Sequence, residues 1–140
     1  MKRDLAIFLT VCIASMMFGV TSCKRQAPDT PFGRMLGKWK KVKYATDDNR
    51  NGIIDKKEIF LVESGVDNEI LFRKDSTGVE TTNSDPPSSF RWQIVGDASV
   101  LVQYTASDTI TYSIENVSSG SLTLTTSTQF GLAWYYYIKK

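Results

Sequence analysis

Oxygen-bearing side chains spaced around one glycine are the residues of this chain best suited to bind a cation. In DDNRNGIIDKKE, which begins at Asp47, residues Asp47, Asn49, Asn51, Gly52 and Glu58 fill every fixed place of the calcium-loop template D-x-[DN]-x-[DN]-G-x5-E. Ile53 would add its backbone carbonyl, Asp55 stands at the ninth position, which usually acts through a water, and Glu58 would close the shell with two oxygens. Gly52 sits where such a loop turns sharply, a conformation costly for any residue with a Cβ. The alternative is a solvated Asx-rich turn around Asn51 and Gly52. Arg50, Lys56 and Lys57 oppose a divalent cation, and no amphipathic helix enters from Lys40 to Thr46. A bound calcium here would fix a long connection after the first strand, so the role expected of it is structural, with an affinity on the order of 10⁻⁴ M, as in extracellular modules.

Other chemistries are poorly provided for. The chain of 140 residues has no histidine and two cysteines, Cys12 and Cys23. The commonest general base is therefore missing, and the zinc and thiol-nucleophile chemistries have little to work with. Asp75, Asp85, Asp97, Asp108 and Glu115 remain, but most stand in or beside turn sequences, where aspartate caps backbone. A non-enzyme is expected. The formal charge of +2 falls close to zero once the first residues are removed, which offers nothing to attract nucleic acid.

Those first residues, MKRDLAIFLTVCIASMMFGVTSC, carry a basic start and an apolar run from Leu5 to Val20. The run is shorter than the roughly 20 residues of a membrane-spanning helix and ends in small residues, as an export signal does. Val20, Thr21, Ser22 and Cys23 resemble a bacterial lipobox. That resemblance implies cleavage before Cys23, acylation of its sulfur and a membrane anchor, with Lys24 next to it favouring the outer membrane of the cell envelope. The chain then divides into a signal peptide over 1–22, a lipidated tether over 23–34 and one folded domain over 35–140. Prolines, charges and the lack of an apolar period in KRQAPDTPFG fit the tether.

The domain must position the loop and whatever else binds. Its apolar residues alternate with polar ones in short runs separated by turn residues, the pattern of half-buried antiparallel strands. Trp39, Val42 and Tyr44 head the first run, followed by Ile70 and Phe72, then Val79 to Thr82. Phe90, Trp92 and Ile94 share one face, as do Val100, Val102 and Tyr104, then Ile110, Tyr112 and Ile114, then Leu122 and Leu124, and last Trp134, Tyr136 and Ile138. About eight strands result, and the fold class expected is all-β: an antiparallel up-and-down barrel, with a β-sandwich as the alternative. Polar residues on the opposite positions Thr111, Ser113, Glu115, Thr123 and Thr125 argue against a barrel embedded in lipid.

LGKWK at Leu36 to Lys40, EILFRKDSTGVE, FRWQI and TYSIENVSSGSLTL before an aromatic last strand resemble the lipocalin-like domains of bacterial envelope lipoproteins. Gly37 and Trp39 match the lipocalin GxW pattern. The resemblance implies a tryptophan across the closed end of an eight-stranded barrel with a late basic partner, for which Lys139 and Lys140 are the candidates. Trp39, Phe72, Phe90, Trp92, Tyr104, Tyr112, Trp134 and Tyr136 are the residues expected to line a pocket for a small hydrophobic molecule; core packing is the competing use for them. The second functional class is a calcium-stabilised module that binds an envelope protein through rim loops such as STQFGL, with Phe130 and Leu132.

Overall fold

The computed structural model describes residues 29–63, 65–83 and 85–140. Cys12, Cys23 and the rest of the leader lie outside the described residues. A short helix, α1 (Pro31–Met35), leads into β1 (Gly37–Thr46), and a single 3₁₀ turn (Lys56–Glu58) precedes β2 (Ile59–Leu61). The remaining strands are β3 (Glu69–Phe72), β4 (Thr77–Thr81), β5 (Ser88–Val95), β6 (Val100–Tyr104), β7 (Thr109–Val117), β8 (Ser121–Thr128) and β9 (Gly131–Lys139).

Each strand from β3 to β9 pairs antiparallel with the next, β3 also pairs with β1, and β9 returns to β1 from Trp39↔Lys139 to Thr46↔Ala133. Eight strands thus close into an up-and-down barrel, which removes the exposed edges that an open sheet would leave. The sandwich alternative is excluded by this unbroken ladder. The ninth strand, β2, continues the line of β3 along β1, at Lys43↔Leu61 to Ala45↔Ile59. Sequence reading missed it, because three exposed apolar residues in a row carry no alternation.

One end of the barrel is packed solid. Trp39 is 0% exposed and its indole Nε1 donates to the Met35 carbonyl at 2.7 Å. The Lys139 ammonium lies 4.3 Å from the centre of the Trp39 ring and donates to the carbonyls of Arg34 and Leu36. Lys139 is therefore the late basic partner of the GxW tryptophan, and its burial pulls its pKa below the ordinary lysine value. Helix α1 covers this floor from below. Thr30 caps it by accepting from Gly33 N at 3.0 Å, Pro31 starts it with a fixed φ, and Phe32 stacks on Trp92 at 4.8 Å. Residues 31–34, assigned to the tether from composition, are thus part of the packed end.

Cross-strand partners point to the same face, so the register assigns every inward residue. Phe90, Trp92, Ile70 and Phe72 face in as expected, and so do Leu122, Leu124, Tyr112 and Ile114. Two strands run in the opposite phase. On β6, Trp92↔Gln103 and Leu101↔Tyr112 turn Leu101 and Gln103 inward, leaving Val100, Val102 and Tyr104 outside. On β9, Leu124↔Tyr135 and Leu122↔Tyr137 turn Ala133, Tyr135 and Tyr137 inward, so Trp134, Tyr136 and Ile138 lie on the outer face. The runs VLVQY and AWYYYIKK have apolar or aromatic residues at both parities, and only the neighbouring strands decide between them.

Candidate functional site

The packed floor gives way to an open upper half. Trp39, Phe72, Leu101 and Leu122 are fully buried, whereas Tyr44, Ile110, Tyr112 and Tyr135, which also point inward, are partly exposed to solvent. A bulge at Val42 separates Lys41↔Tyr137 from Lys43↔Tyr136. It lets Lys41 and Tyr44, three residues apart, both face the interior, which a regular strand would forbid. Opposite them, the turn from Arg73 to Ser76 fixes the pairs Phe72↔Gly78 and Ile70↔Glu80, and so turns Glu80 inward. Asp75 holds that turn by accepting from Thr77 N at 3.1 Å and Thr77 Oγ1 at 2.7 Å; the second bond chiefly keeps its pKa below the usual aspartate value.

The result is a polar cluster over an apolar floor. Lys41 Nζ is 3.8 Å from Glu80 Oε1 and lies 5.0 Å and 5.8 Å from the ring centres of Tyr135 and Tyr137. Tyr112 meets Tyr135 edge to face at 6.3 Å. Burial, then the negative charge of Glu80, raises the pKa of all three phenols, Tyr112, Tyr135 and Tyr137. They therefore stay protonated and able to donate at neutral pH. The arrangement can hold the polar end of a small amphipathic molecule.

Of the residues expected to line a pocket, Trp39, Phe72, Phe90 and Trp92 form the packed lower half. Phe72 meets Phe90 and Trp92 edge to face at 5.8 Å and 5.1 Å, which leaves the rings serving as floor. Tyr112 stands in the open half. Tyr104 accepts from Gln93 on the outside, and Tyr136 lies outside beneath Lys43 Nζ at 4.2 Å, sharing the outer face of β9 with Trp134. Sequence reading missed Lys41, Glu80, Gln103, Tyr135 and Tyr137. Lys41 is in phase with Trp39, and counting back across the DSTG turn pairs Glu80 with Ile70; both signals were available in the spacing.

The Asp47 loop sits on the rim of the same open end. Asp47 accepts from Asn51 N at 3.0 Å and Gly52 N at 2.8 Å. Asn49 Oδ1 accepts from Asn51 N at 2.9 Å and Asn51 Oδ1 from Ile53 N at 2.7 Å. Glu58, buried, takes the N–H groups of Asp48, Asn49 and Asp55. Gly52 adopts φ 77°, as the sharp turn of the template requires. Asp55 is exposed and Ile53 projects to solvent. Among the described residues, no three acidic side chains converge into a metal-ligating group. The loop is tied to the β8–β9 hairpin, with Asp47 N donating to Leu132 O at 2.9 Å and Arg50 to Gln129 O at 3.1 Å. Comparisons with protein-family models, curated proteins and solved structures return no match.

Proposed function

We propose that this chain is an envelope lipoprotein, anchored through Cys23, whose lipocalin-like barrel binds a small hydrophobic molecule in its open half without transforming it. The observation that carries this reading is the change along the barrel axis: inward residues are sealed at the Trp39 end and partly exposed, around Lys41, Glu80 and the tyrosines, at the other. Small-molecule sites combine such an apolar body with a few placed polar groups. The lack of histidine favours binding over catalysis. Cys23 is six residues before Asp29, a reach of roughly 20 Å, so an anchor there would hold the floor toward the membrane and the mouth away from it. Incorporation of labelled palmitate that Cys23→Ser abolishes is the expected sign of the anchor; unchanged labelling would remove it.

Titration with Nile red, a neutral apolar dye, tests the barrel. Saturable fluorescence enhancement at one dye per chain is expected, and its absence up to the solubility limit of the dye would overturn the binding reading.

Calcium in the Asp47 loop is proposed as a structural ion. The complete template supports it, together with carboxylates of Asp47 and Glu58 that keep lone pairs beyond those given to backbone N–H groups. The ion would stiffen the rim by holding the β1–β2 connection against the β8–β9 hairpin. Calorimetry should give binding near the 10⁻⁴ M range with a raised Tm, at least about tenfold weaker in Glu58→Gln. No heat and no stabilisation at millimolar calcium would return the loop to a hydrogen-bonded turn.

A second reading, a module that docks an envelope protein through its rim, is favoured by one observation. Ile53, Leu61 and Phe130, all exposed, stand on or beside the two rim loops. A protein partner that binds equally well to dye-saturated barrel would support it.

A further inference from the structure

Lys41 has an unusual position for a lysine. Its side chain is only 16% exposed, and its nearest acid, Glu80 at 3.8 Å, lies beyond hydrogen-bonding distance. Among the described residues the Lys41 ammonium donates no hydrogen bond, and neither do the hydroxyls of Tyr112, Tyr135 and Tyr137. A buried ion pair is favourable only when its geometry is good and the remaining donors are satisfied. The first condition is not met by Lys41 and Glu80. Among the described residues the only buried side-chain nitrogen or oxygen without a partner is Thr125 Oγ1, so the free N–H and O–H groups of Lys41 and the phenols are open to solvent, where an incoming group can take them.

Counting donors against acceptors gives the missing partner its chemistry. The ammonium offers three N–H groups and the three phenols one O–H each, while among the described residues the carboxylate that acts on all of them is that of Glu80. The two members of the pair are also unequal. The Glu80 side chain is 37% exposed and can take its hydrogen bonds from water, whereas Lys41 is held between the Tyr135 and Tyr137 rings. An incoming anion can therefore replace Glu80 beside Lys41 without stranding either charge.

Resting on the barrel-interior reading above, we infer that the ligand has a carboxylate head, bound by Lys41 and by the hydroxyls of Tyr112, Tyr135 and Tyr137, above an apolar body. The body lies against the inward aliphatic residues that flank the cluster, Ile70 opposite Glu80, Leu124 opposite Tyr135 and Ile114 opposite Leu124. Glu80 acts as a placeholder: it neutralises Lys41 in the empty barrel and turns to solvent when the carboxylate enters. A neutral ligand of the same shape would leave Lys41 without its hydrogen bonds and so bind more weakly.

The test uses the full chain and two fluorescent probes, dansyl-undecanoic acid and its methyl ester, which differ only in head charge. The acid is expected to bind about tenfold or more tightly than the ester, the change associated with one hydrogen bond to a charged group. Lys41→Met should bring that ratio close to one, Tyr135→Phe should reduce it several-fold, and Glu80→Gln should increase it. Circular dichroism of each variant verifies the fold, and Tyr135→Phe serves if Lys41→Met does not fold. Equal affinities of acid and ester, or a ratio unmoved by the variants, would overturn the carboxylate inference while leaving the binding interior in place. Failure of both probes to bind folded protein would overturn the interior reading, and this inference with it.

Discussion

With alanine in place of Trp39, urea unfolding is expected to show a loss of about 3–5 kcal/mol, the range for removing a large aromatic side chain from a core. Three effects act together. The ring is fully buried, so its removal leaves a cavity that α1 and the surrounding strands can fill only in part. The Met35 carbonyl loses its donor at 2.7 Å, and a buried acceptor left alone costs about 1–3 kcal/mol. The Lys139 ammonium loses the ring face over which it sits at 4.3 Å. Since small domains are stable by only about 5–15 kcal/mol in total, this one substitution would remove a large share. Trp39→Phe separates the effects: it retains most of the packing and orphans the carbonyl, so its loss should fall well below that of alanine. A cost under about 1 kcal/mol for Trp39→Ala would mean that the floor does not hold the barrel closed.

Gly78→Ala is expected to destabilise by about 1–3 kcal/mol or more, through overpacking alone. The backbone conformation at Gly78 is one that any residue can adopt, so the glycine is required by space. A Cβ there would lie 2.2 Å from Phe90 Cζ and 2.7 Å from the Leu71 carbonyl oxygen. Phe90 is buried against the edge of Phe72, and Leu71 O belongs to the β3 backbone, so neither can withdraw without cost. The double variant Gly78→Ala with Phe90→Leu checks this mechanism. The smaller leucine side chain removes the ring clash, so the pair should be more stable than the sum of the single losses by at least about 0.5–1 kcal/mol. Simple additivity would show that Phe90 is not what excludes a side chain at Gly78.

The barrel was legible because FRWQI and TITYSIE each alternate in one phase only, which fixes a strand and its inner face at once. GxW at Gly37 and Trp39 placed the closed end, and the structure supplies Lys139 as the partner that two terminal lysines left open. The mouth was much less legible. Charged Lys41 and Glu80 would be assigned outward by hydropathy, although Lys41 is in phase with Trp39 and the Asp75 turn pairs Glu80 with Ile70. Consecutive tyrosines on β9 likewise conceal which one faces in until Leu122 and Leu124 are seen opposite Tyr137 and Tyr135. For the tyrosines the pairing of β9 with β8 decides, and the pattern of β9 alone does not encode it.

The open half of the barrel, and not its rim or outer face, is where a small molecule is proposed to bind. Methyl-resolved NMR of the protein titrated with dansyl-undecanoic acid tests it most directly, because the methyl groups of Ile110, Ile114 and Leu124 point inward while those of Ile53, Leu61 and Ile138 lie outside. Saturable shifts at the first three, with Ile53, Leu61 and Ile138 unmoved, are the expected result. Shifts confined to Ile53 and Leu61 on the rim, or none at millimolar probe, would contradict it.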